Sequence, residues 1–145
     1  MCNNNLLLLT NSKNTTPSTF DDPAQFTANL PTTIQLPRHC EIALGACSVD
    51  EAVGGNEGRL IYVSLDNLTY YSTTANAREG SFSKMVGAFS SNVSTLMPLR
   101  FCSLNNEEPL PLTSLDVRLT NQDGETISAL QGLTELVLYY REHKC

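Results

Sequence analysis

The sequence predicts an antiparallel β-sandwich of about eight strands, and three observations carry that prediction. Apolar and polar residues alternate over Phe26–Leu30, Cys40–Leu44, Leu115–Leu119 and Leu136–Tyr140, the period of a half-buried strand. Turn signals recur at the roughly 8–12-residue spacing of a sandwich. Thr, Ser and Asn together fill 41 of 145 positions. These side chains compete for backbone hydrogen bonds in helices, whereas Thr suits strands and Ser and Asn suit turns.

Taken in order, residues 1–23 read as an N-terminal arm, followed by one sandwich domain over 24–145. In the arm, Leu6, Leu7, Leu8 and Leu9 form an apolar run before a polar, proline-containing stretch. Such a run needs a partner strand, either in its own sheet or on a neighbouring subunit. Gln25–Leu30 is the first alternating strand, with Phe26, Ala28 and Leu30 on one face; Pro31 ends it. Ile34 and Leu36 continue the face to Pro37, and Cys40–Val49 is a second long strand. Ala52–Gly58 is a glycine-rich loop. Arg59–Leu65 is apolar on both faces except at Ser64, which places it centrally. Asn67–Ala77 is a weaker strand or an excursion. Ser81–Phe89 fits a helical turn or an irregular strand equally well. Leu99–Leu104 is short, and a Glu107–Pro111 loop follows it. Leu115–Thr120 then leads into a tight turn in which Asp123 precedes Gly124, a glycine suited to positive φ. Glu125–Leu130 returns, Gln131-Gly132 turns again, and Thr134–Tyr140 closes the chain's pattern.

Length and charge exclude several classes. At this size a single domain buries about 68–70% of its extended surface, so no metal or disulfide staple is needed. The net charge of −6 opposes a broad phosphate-neutralising face, so no direct nucleic-acid contact is expected. Four leucines are too few for a membrane span or for the apolar part of a secretory signal, so no transmembrane segment and no signal peptide are expected. The five cysteines (Cys2, Cys40, Cys47, Cys102, Cys145) cannot all pair within one chain and form no CxxC. They read as free or buried thiols of a reducing compartment.

Catalytic patterns are not found. His39 and His143 read as surface residues, neither placed beside a nucleophile as a triad requires. Asp21-Asp22 and Glu107-Glu108 are adjacent pairs, which point apart in extended chain. Gly54-Gly55 lacks the lysine and helix of a phosphate loop. Asp116, Asp123 and Glu125 flank one turn without a calcium-loop pattern. The expectation is a protein without catalytic residues, cofactor or metal.

Two blocks carry a family resemblance. The first is Leu6-Leu-Leu-Leu-Thr-Asn-Ser12, then Phe26-Thr-Ala-Asn-Leu-Pro31, Ile34-Gln-Leu36 and Cys40-Glu-Ile-Ala-Leu44. The second is Leu115-Asp-Val-Arg-Leu-Thr-Asn-Gln-Asp-Gly124, Gly132 and Thr134-Glu-Leu-Val-Leu-Tyr-Tyr-Arg141. Over residues 5–50 and 99–142 the chain resembles the single jelly-roll minor capsid or penton proteins of eukaryotic double-stranded DNA viruses: virophages, Polinton-like elements and nucleocytoplasmic large DNA viruses. Cys40 stands where that family usually has an aromatic residue. The resemblance implies a jelly roll, a homo-oligomer with a pentamer favoured, contacts with neighbouring capsid proteins through the N-terminal arm, and a place in the virion after assembly inside the host cell. The alternative is a carbohydrate- or receptor-binding sandwich of fibre-head or lectin type, supported by Tyr62, Tyr70, Tyr71 and the Gly54–Gly58 loop.

The turn gives a stability test. Gly124→Val places a β-branched residue at a position expected to need φ > 0. It is expected to lower the thermal midpoint by several degrees, since 1 kcal/mol corresponds to roughly 2–6 °C for a domain of this size. Scanning calorimetry of the two proteins measures it.

Overall fold

The computed structural model describes residues 4–12, 22–51, 60–68, 85–90, 99–121, 125–127 and 130–143. The described residues form eight strands: β1 Asn5–Thr10, β2 Gln25–Leu36, β3 Cys40–Glu51, β4 Leu60–Leu65, β5 Met85–Ser90, β6 Cys102–Ser103, β7 Leu110–Thr120 and β8 Leu130–Glu142. They form two four-stranded sheets, ordered β1-β8-β3-β6 and β2-β7-β4-β5. All the pairings are antiparallel, and no helix occurs among the described residues.

The order has a simple logic. First pairs with last (β1–β8), second with seventh (β2–β7), third with sixth (β3–β6) and fourth with fifth (β4–β5). A long antiparallel hairpin wound around a barrel axis gives this nesting, which is the jelly roll. Successive hairpin layers alternate between the sheets, so the expected sandwich of jelly-roll type is the fold observed.

Alternation explains the core. Leu7 and Leu9 of β1, Leu136 and Leu138 of β8, and Ile42 and Leu44 of β3 point inward from the first sheet. Phe26 and Ala28, Leu115, Val117 and Leu119, and Ile61, Val63 and Leu65 point inward from the second. The sheets approach closely where Gly87 of β5 faces Leu44 of β3: a Cβ on Gly87 would lie 2.8 Å from Leu44 Cβ.

Several local expectations are corrected. Pro31 does not end a strand; β2 runs through it with a register shift between Asn29 and Ile34. Proline is tolerated because β2 is an edge strand. Pro111, expected in a loop, lies in β7 and faces Gln35. Here β7 is paired only with β2, because β4 reaches only Val117–Thr120. Gln131-Gly132 is no turn but part of β8, with Gly132 at φ 74°. Over Met85–Ser90 the ambiguous segment is a strand. The turn residues Asp123 and Gly124 lie outside the described residues, as do Tyr70, Tyr71 and the Gly54–Gly58 loop. Around that turn, Thr120 bridges Thr126, and Asn121 N–H donates to Glu125 O at 2.9 Å.

The segment expected as an arm is the main correction. Of its two possible partners, Leu6–Leu9 takes its own sheet: Leu6 faces Tyr139, Leu7 Leu138, Leu8 Val137 and Leu9 Leu136. The division at residue 23 therefore does not separate β1 from the sandwich. The next residue, Asn11, locks the strand end. It is buried at 3% exposure; its Nδ2 donates to Gly132 O and its Oδ1 accepts from Thr134 N–H, each at 2.8 Å. The amide side chain thus serves two backbone groups where the ladder is irregular.

Deleting residues 1–12 is accordingly expected to unfold or aggregate the protein. Burial of Leu7 and Leu9 contributes roughly 1.5–3 kcal/mol each, and the loss also bares the edge of β8. Against a total stability of roughly 5–15 kcal/mol that is a large fraction. Circular dichroism and sizing of the truncated chain test this; a folded, soluble monomer contradicts it.

Candidate functional site

The two sheets present opposite chemistry to their surroundings. On the outer face of β2-β7-β4, Thr27 Oγ1 donates to Asp116 Oδ1 at 2.7 Å, Arg118 Nε lies 3.6 Å from Asp66 Oδ2, and Asn67 Nδ2 donates to Ser114 O at 2.8 Å. This is the solvated polar face usual for an antiparallel sheet.

The outer face of β1-β8-β3 is built differently. The register aligns Leu6, Tyr139 and Ala43 in one row and Leu8, Val137 and Ala46 in the next. Leu6 and Leu8 are 57% and 60% exposed, the large exposed hydrophobics among the described residues. Single exposed leucines need no explanation, but rows of apolar side chains in register do. A bulge between Leu44 and Ala46 inserts Gly45. Tyr139 lies across it: a Cβ on Gly45 would collide with the ring at Cε2, and Cδ2 would be 2.8 Å away. Absence of a side chain at 45 therefore lets the tyrosine lie low over the sheet.

One end of this face carries charge. Glu41, nearly buried, faces Arg141 across β3–β8. His143 Nδ1 lies 2.8 Å from Glu41 Oε1, where the imidazole N–H donates to the carboxylate. Arg141 Nε is 3.8 Å from the same oxygen, and the guanidinium stacks over Phe101 at 3.7 Å from its centroid. Such a stack contributes about 0.5–1 kcal/mol where it is exposed. The other end fades into Thr10, Glu135 and Ser48.

Placement of the sequence-derived candidates is therefore divided. Leu6 and Leu8 form the exposed stripe, while Leu7 and Leu9 are core residues at 6% and 2% exposure. Asp123 and Gly124 lie outside the described residues. Missed from sequence were Tyr139 with Gly45 and the Glu41–Arg141–His143–Phe101 group, because their meeting depends on the β3–β8 register. The only available signal was the placement of Glu41 and Arg141 on alternating strands.

The candidates for reactive chemistry have local structural roles. Asp22 Oδ1 accepts from Ala24 N–H at 2.9 Å. Asp116 and Asp66 are engaged as described, and Glu107 and Glu108 are exposed. A depression of about 630 Å³ is lined by Asp22, Asp66 and Asp116, but no three metal-ligating side chains converge among the described residues. Cys40, Cys47 and Cys102 are buried free thiols. Burial pushes Cys40 up to about 11, opposed by the backbone hydrogen bond at Arg141 and assisted by the Glu41 charge. The same desolvation raises Cys47 and Cys102. A thiol so raised is a poor nucleophile at neutral pH. Among the described residues no helix is long and apolar enough to cross a membrane. No protein-family model matches this sequence, and no curated protein is significantly similar to it.

Cys40 gives a pH test. Its folded value lies above the ordinary value of 9.0, so the unfolded chain loses that proton first and stability falls as pH rises from 9 towards 11. Thermal midpoints of the parent are expected to drop more steeply over that window than those of Cys40→Ala. Parallel curves contradict the assignment.

Proposed function

We propose that this chain is a non-enzymatic structural subunit of a virion, a minor capsid or penton protein of a double-stranded DNA virus that works by assembling with copies of itself and with neighbouring capsid proteins. The observation that carries this reading is the pair of apolar rows across the middle of the outer face of β1-β8-β3, with Leu6 and Leu8 standing out from them. A soluble monomer gains nothing from leucines at both outward positions of an edge strand, whereas an assembly buries them. The jelly roll is a fold used in shells, although it also serves lectins and cupins, so fold alone does not decide. The sequence resemblance over residues 5–50 and 99–142 adds the virion context and the fivefold ring. β1 enters as a docking edge fixed to its own sheet, in place of the free arm expected from sequence.

The glycan-binding alternative rests on Tyr62, which stands on the second sheet's outer side across from Thr120, and on residues outside the described ones. Among the described residues it has no comparable apolar rows behind it.

Native sizing and negative-stain imaging test the proposal. The purified chain is expected to form oligomers of cyclic symmetry, five subunits favoured, or to be incorporated when its shell proteins are supplied. A chain that stays out of both and binds an immobilised glycan array as a monomer overturns the reading in favour of a lectin.

A further inference from the structure

We propose that β1 pairs with β1 of a second copy, antiparallel about a twofold axis at Leu7, joining two first sheets into one continuous eight-stranded sheet. The four sheet edges differ in how they resist such pairing. β6 is only two residues long. β2 carries Pro31 and a register shift, and the β4–β5 ladder is irregular, with Val86 as an extra residue on β5. Short length, proline and bulges are the devices that blunt an edge. β1 has none of them: its six residues, Asn5–Thr10, pair regularly with β8 and include no charge and no proline. Among the described residues no strand covers this edge either. A groove of about 480 Å³ lies between Leu8–Ser12 and Thr27–Pro31 of β2, beside the C-terminal half of β1.

The occupant follows from register and charge. Residues opposite each other in an antiparallel pair point to the same side. Leu6 and Leu8 point out and Leu7 and Leu9 point in, so a one-residue slip sets core against surface. Among the side-preserving registers, the one centred on Leu7 puts Leu6 opposite Leu8 of the second copy, and Leu8 opposite its Leu6. Centring on Leu6 or Leu8 leaves one outward leucine facing Asn4 or Thr10. The strand is thus complementary to itself. Self-association of a chain of net charge −6 requires a neutral contact, and β1 supplies one. The nearest acid on β8 is Glu135, opposite Thr10. In the Leu7-centred pairing the two Glu135 residues lie at opposite ends of the contact, about 20 Å apart at 3.3 Å per residue, beyond the screening length of about 8–10 Å. The outer rows of Tyr139, Val137 and the leucines then run unbroken from one copy to the other.

Sedimentation of the full-length chain at up to about 100 µM, where even a small interface is populated, is expected to show a concentration-dependent species of twice the 15.9 kDa chain mass. Leu6→Glu and Leu8→Lys are each expected to weaken it at least about tenfold, since each sets an unpaired charge against a leucine. Both sites are exposed, so folding, checked by circular dichroism, is retained. Mixing Leu6→Glu with Leu8→Lys brings Glu opposite Lys and is expected to restore the dimer; mixing Leu6→Glu with Leu6→Lys is not. A monomeric parent at the top concentration, variants that associate unchanged, or equal rescue by both mixtures overturns the pairing, and so does a parent that remains monomeric yet binds a strand of a shell protein. The inference goes beyond the virion reading and fails separately from it. A dimer that enters no shell leaves the pairing standing, and Leu6→Glu chains that still form rings and shells leave the virion reading standing.

Discussion

The first sheet depends on β8. This strand pairs with β1 on one side and with β3 on the other, so until it is in place β1 has no ladder and β3 has only its two-residue pairing with β6. Each nested pairing except β4–β5 joins distant segments, and β1–β8 spans nearly the whole sequence. Closure of such loops carries an entropic cost that local contacts do not repay. The core is arranged accordingly: Leu136 and Leu138 of β8 are fully buried between Leu9 and Leu7 on one side and Cys47 and Leu44 on the other. Asn11 and Thr134 fasten the same junction through the hydrogen bonds to Gly132 O and Thr134 N–H, with Thr134 Oγ1 donating to Pro23 O at 2.9 Å. A second clasp holds the β2–β3 turn, where Asn106 Oδ1 accepts from Cys40 N–H and Nδ2 donates to Pro37 O. Side-chain amides placed this way satisfy backbone groups that irregular turns leave open.

Much of this fold was legible because a half-buried strand writes its period into the sequence. Phe26–Leu30, Cys40–Leu44, Leu115–Leu119 and Leu136–Tyr140 all lie in strands with the inward residues expected. Failures came where tertiary pairing overrides local signals. Pro31 and Pro111 look like strand ends, but each sits where a neighbour is missing and no N–H is required. Gly132 looks like a turn, yet its positive φ is absorbed inside β8 beside the Asn11 side chain. Ser81–Phe89 fits a helical turn by its spacing, but over Met85–Ser90 pairing with β4 makes an irregular strand with Val86 as an extra residue. The candidate surface was half legible. Leu6–Leu9 stood out as needing a partner, but alternation alone does not say that Leu7 and Leu9 serve the core while Leu6 and Leu8 do not. Tyr139, Ala43 and Ala46 join those leucines only through register, which sequence spacing does not encode.

The outward leucines are not explained by the strand that carries them. The inward pair, Leu7 and Leu9, already attaches β1 to the core, and Thr at 6 and 8 satisfies strand preference without exposing large apolar groups. Nor does the rest of the face treat them as isolated. Gly45 lets the Tyr139 ring lie low, and the small residues Ala43 and Ala46 continue the rows across β3. The Arg141–Phe101 stack and the Glu41–His143 contact hold Arg141, Glu41 and His143 at one end, and Glu135 stands at the other. A face whose middle rows are low and apolar up to an unprotected edge is suited to contact with another sheet edge or a flat surface, and poorly suited to enclosing a small ligand. The buried, raised thiols fit the same division: among the described residues Asn11, Asn106 and Asp22 spend their polar groups on turns and strand ends, the second sheet keeps a polar outer face, and the large apolar side chains left exposed are those of β1.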